Sequence, residues 1–203
     1  MIIAKANTFA NARRQQGFTM VEVMISTVIL TIGLVSVLGA LCVVVAANQT
    51  AQQDMIARQL ASEAMESVYT ARNDSEMTWA QVNNVSNGGI FVNGFLPVLC
   101  AGPDGILGTA DDAACTLPNG TTCPNGGVQC LDEPGPDGIL GTADDVILSL
   151  SAYTRQIQIT PLLDASGAVE PALRQVQITV NYSVNQSTVQ KSYVLTEYVS
   201  AYH

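Results

Sequence analysis

Gly17-Phe18-Thr19-Met20-Val21-Glu22-Val23-Met24-Ile25-Ser26-Thr27-Val28-Ile29-Leu30 opens an apolar run that continues to Ala47, and from Met20 to Ala47 its one charge is Glu22. An apolar run longer than roughly 18 residues can cross a bilayer as a helix, so the segment spans or anchors. Lys5, Arg13 and Arg14 lie before it. That asymmetry places the N-terminal side in the cytoplasm and everything after Ala47 on the far side. A cleaved secretory signal would instead show a shorter apolar core ending in a small-residue site. A carboxylate in the bilayer interior costs on the order of 3 kcal/mol, so an acid such as Glu22 calls for a partner.

Beyond Ala47 the helical pattern continues. Ile56, Leu60, Ala64 and Val68 recur every four residues between polar positions, and neither proline nor glycine occurs from Asn48 to Asn73. The spacing predicts one helix of about 50 residues, weakest at Gly33 and Gly39, with a stripe free to pack on a sheet. From Asn73 to Asp145 the composition shifts to Asn, Gly, Pro and Asp, which predicts loops and turns. Strand patterns follow over Tyr153–Thr160, Leu173–Val184 and Thr188–Val199, with Asn185–Ser187 as a hairpin turn. The alternation is clearest in Val176, Ile178, Val180, Tyr182 and Val184 against Gln175, Gln177, Thr179 and Asn181. The expected fold is α+β, with the helix covering one face of an antiparallel sheet of three or four strands.

The whole chain has 203 residues, room for one modest domain and a tether. Its 8 basic and 17 acidic residues argue against a nucleic-acid surface, which needs clustered Lys and Arg. Of the five cysteines, Cys42 lies in the apolar run, while Cys100, Cys115, Cys123 and Cys130 fall in the polar loops. Four cysteines in an exported loop read as two disulfides. Three pairings are open, of which Cys100 with Cys115 and Cys123 with Cys130 would close the shortest loops. Zinc is disfavoured, because there is no CxxC pair and the one histidine is His203.

The stretch Arg13-Arg14-Gln15-Gln16-Gly17-Phe18-Thr19-Met20-Val21-Glu22 resembles the processing site of type IV prepilins and type II secretion pseudopilins. A basic leader, a glycine before the cut, a phenylalanine after it and a glutamate four residues on all open a long apolar helix. Val28-Ile29-Leu30-Thr31-Ile32-Gly33-Leu34 and Leu60-Ala61-Ser62-Glu63-Ala64-Met65-Glu66 look most like PilV-type minor pilins, and the likeness covers roughly the first 70 residues. Gly39 stands where major pilins commonly have a helix-kinking proline, which suits a minor subunit. The resemblance implies cleavage after Gly17 by prepilin peptidase, methylation of the new Phe18 amine, and a pilin-like fold. It also implies assembly with other pilin subunits and the inner-membrane pilus machinery: single-pass with the C-terminal part periplasmic before assembly, and in an extracellular pilus afterwards.

On that reading, 1–17 is the leader, 18–47 the transmembrane and assembly helix, 48–73 its amphipathic continuation, 74–146 the loop region and 147–203 the sheet. The free amine at Phe18 would sit one helical turn from Glu22 and neutralise that residue in its own or a neighbouring subunit. The plainer alternative places Glu22 at the headgroup level of a signal anchor. Without Lys5, Arg13 and Arg14, five basic residues face 17 acidic ones, a formal charge of −12.

Gly102-Pro103-Asp104-Gly105-Ile106-Leu107-Gly108-Thr109-Ala110-Asp111-Asp112 recurs unchanged as Gly135–Asp145. Each copy offers three carboxylates (Asp104, Asp111 and Asp112; Asp137, Asp144 and Asp145), a threonine hydroxyl and glycines that let carbonyls turn inward. Those are the hard oxygen ligands of Ca²⁺, although the spacing is not that of an EF-hand. The motif is similar to the acidic calcium loop of major pseudopilins. Calcium is therefore the expected ion, against the alternative that Pro-Asp-Gly is simply a good turn.

Two other functions are open to such a chain. A minor pseudopilin of a type II secretion system shares every N-terminal feature. A signal-anchored extracytoplasmic enzyme or adhesin finds little support: no GxSxG, HExxH or P-loop occurs, and Asp111 beside Asp112 reads as a turn or ligand pair rather than a glycosidase pair. Tyr182, Tyr193, Tyr198 and Tyr202 are expected in core or edge packing. Asn84-Val85-Ser86 matches a glycosylation triplet only by chance.

Overall fold

The computed structural model describes residues 17–118, 120–183 and 190–202. The leader up to Gln16, the expected turn Asn185–Ser187 and His203 fall outside them. The chain divides into two units, residues 1–47 and 48–203.

One helix, α1, runs Met20–Asn73 over 54 residues. In the first unit every described residue is exposed, and the helix is apolar and long enough to cross a membrane. All four hydroxyls between Met20 and Ala47 donate back to the helix: Ser26 to Glu22 O, Thr27 to Met24 O, Thr31 to Val28 O and Ser36 to Ile32 O, at 2.7–2.9 Å. Such back-bonding leaves no hydroxyl proton unsatisfied in an apolar solvent.

In the second unit α1 buries the expected stripe of Ile56, Leu60, Ala64 and Val68, widened by Ala57, Ala61, Met65 and Ala71. The alanines let the helix approach closely. This stripe shares one core with Ile157, Ile159, Val176, Ile178, Val180 and Val199 of the sheet. The main sheet is antiparallel with order β1 (Leu96–Pro97), β4 (Tyr153–Leu163), β5 (Val169–Ser183), β6 (Gln190–Ser200). Ile157 faces Ile178 and Ile178 faces Leu195, so the alternating residues of β5 point at the helix as expected.

Two expectations are corrected. Strands β4 and β5 overrun the predicted limits by passing Pro161 and Pro171. Beyond Thr154 and Arg155, β4 has no β1 partner, and β5 meets β6 only from Leu173 on. A proline N–H is not missed there. The region 74–146 is also not all loop: besides β1 it holds β2 (Cys130–Glu133), which pairs with β3 (Val146–Ser149) in a separate hairpin. These strands are too short for alternation to reveal them.

Asn84 replaces a neighbouring strand along the free edge of β4. It is 4 % exposed; its Nδ2 donates to Ile157 O at 2.8 Å and its Oδ1 accepts from Ile159 N at 2.7 Å. Arg155, also buried, donates to Leu60 O at 3.1 Å and to Glu63 at 3.4 Å, tying β4 to α1.

Candidate functional site

Gly17 and Phe18 lie just before α1 and both are exposed. A Cβ added at Gly17 would meet nothing within 4 Å. Thr19 then caps the helix: its Oγ1 accepts from Glu22 N at 3.3 Å. Thr19-Met20-Val21-Glu22 has the spacing of a capping box, which is a sequence signal for this helix start. Glu22 therefore occupies the first turn, where the helix dipole favours a negative charge. Among the described residues no cation pairs with its carboxylate. With every neighbouring hydroxyl bonded to the helix, Glu22 is the one polar side chain of the segment left to pair with something else. A cut after Gly17 would leave a new amine four residues away.

The two disulfides are Cys100–Cys115 and Cys123–Cys130, the pairing that closes the shortest loops, and Cys42 is free and exposed. Around Leu117 the four half-cystines form a small core of their own.

The two acidic loops repeat their geometry as well as their sequence. Asp104 Oδ1 accepts from Ile106 N at 2.8 Å, and Asp137 Oδ1 from Ile139 N at 2.8 Å. Thr109 donates to Asp111 at 2.5 Å, and Thr142 to Asp144 at 2.6 Å. Asp112 accepts from Gly108 N, and Asp145 from Gly141 N. The threonine hydroxyls hold Asp111 and Asp144 below the usual carboxylate range, whereas partial burial pushes Asp112 upward. Gly102 and Gly135 are required locally, because a Cβ would strike the carbonyl of Asp111 or Asp144. In this arrangement the carboxylates serve their own loop, and no group of three metal-ligating side chains converges among the described residues.

Among known families, the one described as the prokaryotic N-terminal methylation motif matches residues 12–38. Neither the characterised proteins nor the solved structures yield a match to this chain. The motif spans Arg13, Arg14, Gly17 and Phe18 and the first part of the apolar helix, and so includes the Thr19 cap and Glu22. Together with a long helix on an antiparallel sheet, the motif supports a type IV pilin-like reading of the chain.

Proposed function

We propose that this chain is a minor subunit of a type IV pilus. Residues 1–17 are its leader, prepilin peptidase cleaves after Gly17 and methylates Phe18, and residues 18–47 anchor it in the inner membrane before assembly. The observation that supports this reading is Glu22, the single charge of the apolar run, in the first turn of a helix capped by Thr19, four residues from the amine that cleavage would create and inside the methylation motif. The second unit then lies on the periplasmic side, and on the pilus surface after assembly.

For the acidic loops we propose Ca²⁺ on the strength of the sequence repeat. As folded, Asp104, Asp111 and Asp112 and their counterparts engage their own amides and hydroxyls, so an ion has to compete with those bonds.

Two variants test the subunit reading. Gly17→Arg has room in the fold and should accumulate as uncut precursor in the inner membrane. Glu22→Ala should be cut and inserted yet recovered poorly in sheared filaments. An unpaired amine in the bilayer costs about 3 kcal/mol, which corresponds to roughly a hundredfold. Normal processing of the first, or equal recovery of the second, overturns the reading.

A further inference from the structure

Eleven identical residues occur in two opposite environments. In Gly102–Asp112, Ile106 and Leu107 are 0 % and 5 % exposed; in Gly135–Asp145, Ile139 and Leu140 are each 60 % exposed. The turns themselves are alike, with Gly105 and Gly138 at φ 70° and 71° and Gly108 and Gly141 at φ 82° and 88°. Every residue the turn needs is accounted for by bonds inside the loop: the glycines by backbone angle or close approach, the aspartates and threonine by the amides and hydroxyl they satisfy. The Ile-Leu pair is not. It does nothing within the loop and acquires a role only where the loop docks.

The first copy shows what that docking looks like. Ile106 enters the core beside Phe91 and Ile157, and Leu107 N donates to Ser67 Oγ of α1 at 3.2 Å. Gly108 O accepts from Val92 N at 2.8 Å, and a Cβ on Gly108 would come within 2.6 Å of Ile157 Cδ1. Burial raises the Asp112 pKa, and the nearby Arg155 charge, which borders the same small cleft, partly offsets that. The second copy has the same groups with nothing against them: a Cβ on Gly141 meets no atom within 4 Å, and Leu140 N and Gly141 O have no partner among the described residues. Leu140 instead borders an open cleft of about 500 Å³ with Leu117, Pro118, Asp132, Asp145 and Ile147. Val146, the residue after the loop, is also 56 % exposed.

We propose that the Gly135–Asp145 loop is a docking knob for a separate, basic polypeptide. That partner presents an apolar socket with an Arg or Lys beside it and supplies from another molecule what α1, Phe91 and Arg155 supply to the first copy. The stretch from Leu131 to Val146 carries five acidic residues, Asp132, Glu133, Asp137, Asp144 and Asp145, and no basic one. A second copy of this chain is a poor occupant, because its cations beyond the leader are engaged at home. Arg58 stacks on Tyr193, Arg72 on Tyr69 and Arg174 on Trp79; Arg155 bonds Glu63, and Lys191 lies 3.6 Å from Asp54. Complementary charge steers such an encounter, and the buried Ile-Leu pair supplies the anchor.

The test is photo-crosslinking of the full chain in its native host, with p-benzoylphenylalanine at position 140 and, as control, at Leu163, which is 63 % exposed. Mass spectrometry of the adduct reads both the partner and its contact peptide. The expected result is an adduct to a different polypeptide, about tenfold above the control, at apolar residues next to Arg or Lys. Ile139→Ser should lower its yield about tenfold while the melting temperature stays unchanged, and Asp144→Asn with Asp145→Asn, which removes the charge but keeps an oxygen for the loop amides, should lower it as well. No adduct above control, an adduct to lipid or to a second copy of this chain, or a contact peptide without a cation overturns the proposal. The first of these would leave the exposed pair as a relic of duplication.

Discussion

Glu22 and Asn84 are single polar residues in apolar surroundings, and each is explained by what its atoms must satisfy. Glu22 stands at a helix start with its amide capped by Thr19, which leaves the carboxylate for a partner outside the described residues. Asn84 has both partners in hand, Ile157 O and Ile159 N. Asn84→Ala removes both at once. An orphaned buried backbone group costs about 1–3 kcal/mol, so the variant should lose about 2–4 kcal/mol in urea unfolding. A loss below about 1 kcal/mol would mean that water reaches this edge of β4. Tyr153 and Tyr182 make a second buried polar site, stacked with ring centroids 5.6 Å apart. Tyr182 donates to Asp54 at 2.6 Å. Burial first, and then Asp54, pushes both phenols up to about 12. Because the folded pKa lies above the ordinary value near 10, their contribution is fully present below pH ~10 and is lost as pH rises towards ~12. We expect urea midpoints to fall across that interval, and Tyr182→Phe with Tyr153→Phe to flatten the fall. A Cys42→Ser background keeps a free thiolate from exchanging with the disulfides. An equally steep fall without the two hydroxyls would place the alkaline sensitivity elsewhere.

Elements were legible in the sequence where a period ran long enough to be read. The helix showed through Ile56, Leu60, Ala64 and Val68, and β5 through Val176, Ile178, Val180 and Tyr182, because packing on one face needs that spacing. Strand ends were misjudged at Pro161 and Pro171, since whether a proline N–H is missed depends on a neighbouring strand that local sequence does not show. At the N-terminus the sequence showed the methylation motif around Gly17, Phe18 and Glu22 but the Thr19 cap went unread, although Thr-x-x-Glu was there to be seen. The two acidic loops mark the limit most clearly: identical residues fold alike, yet one is buried and the other exposed. Context separates them. The first copy lies between Cys100 and Cys115, whose disulfide adds to paired bonds between Cys100 and Ala113 at 2.9 and 3.1 Å; the second is closed by the β2–β3 hairpin. Cys100→Ser with Cys115→Ser should therefore cost about 3 kcal/mol, the chain-entropy value for a loop of roughly 15 residues, and free the first copy selectively. Hydrogen exchange should rise at Ile106 and Leu107 in that variant and stay constant at Ile139 and Leu140. Equal change in both copies would show that the hairpin depends on the bridge.

At the scale of the whole molecule, charge is the quantity the fold has to accommodate. Beyond Gly17 there are five basic and 17 acidic residues, and the five basic ones are engaged within the fold. The six loop aspartates add to that repulsion, which any dissolved cation relieves in part by screening. Specific Ca²⁺ binding has to exceed screening. It also has to displace the Thr109 and Thr142 hydroxyls from Asp111 and Asp144, which those bonds hold in the charged form. The full chain in detergent should melt higher in Ca²⁺ than in chelator, and Mg²⁺ at the same ionic strength should reproduce only the screening part, because it sheds water reluctantly. The exposed copy is the cleaner place to test a single site. Asp144→Asn with Asp145→Asn keeps an oxygen for the amides of Gly141 and Thr142 and leaves the core untouched. If the loops bind independently, that pair should remove roughly half of the Ca²⁺-specific shift. Equal melting temperatures in Ca²⁺ and Mg²⁺, with no heat on titration at about millimolar Ca²⁺, would assign both loops to self-capped turns whose aspartates serve their own backbone.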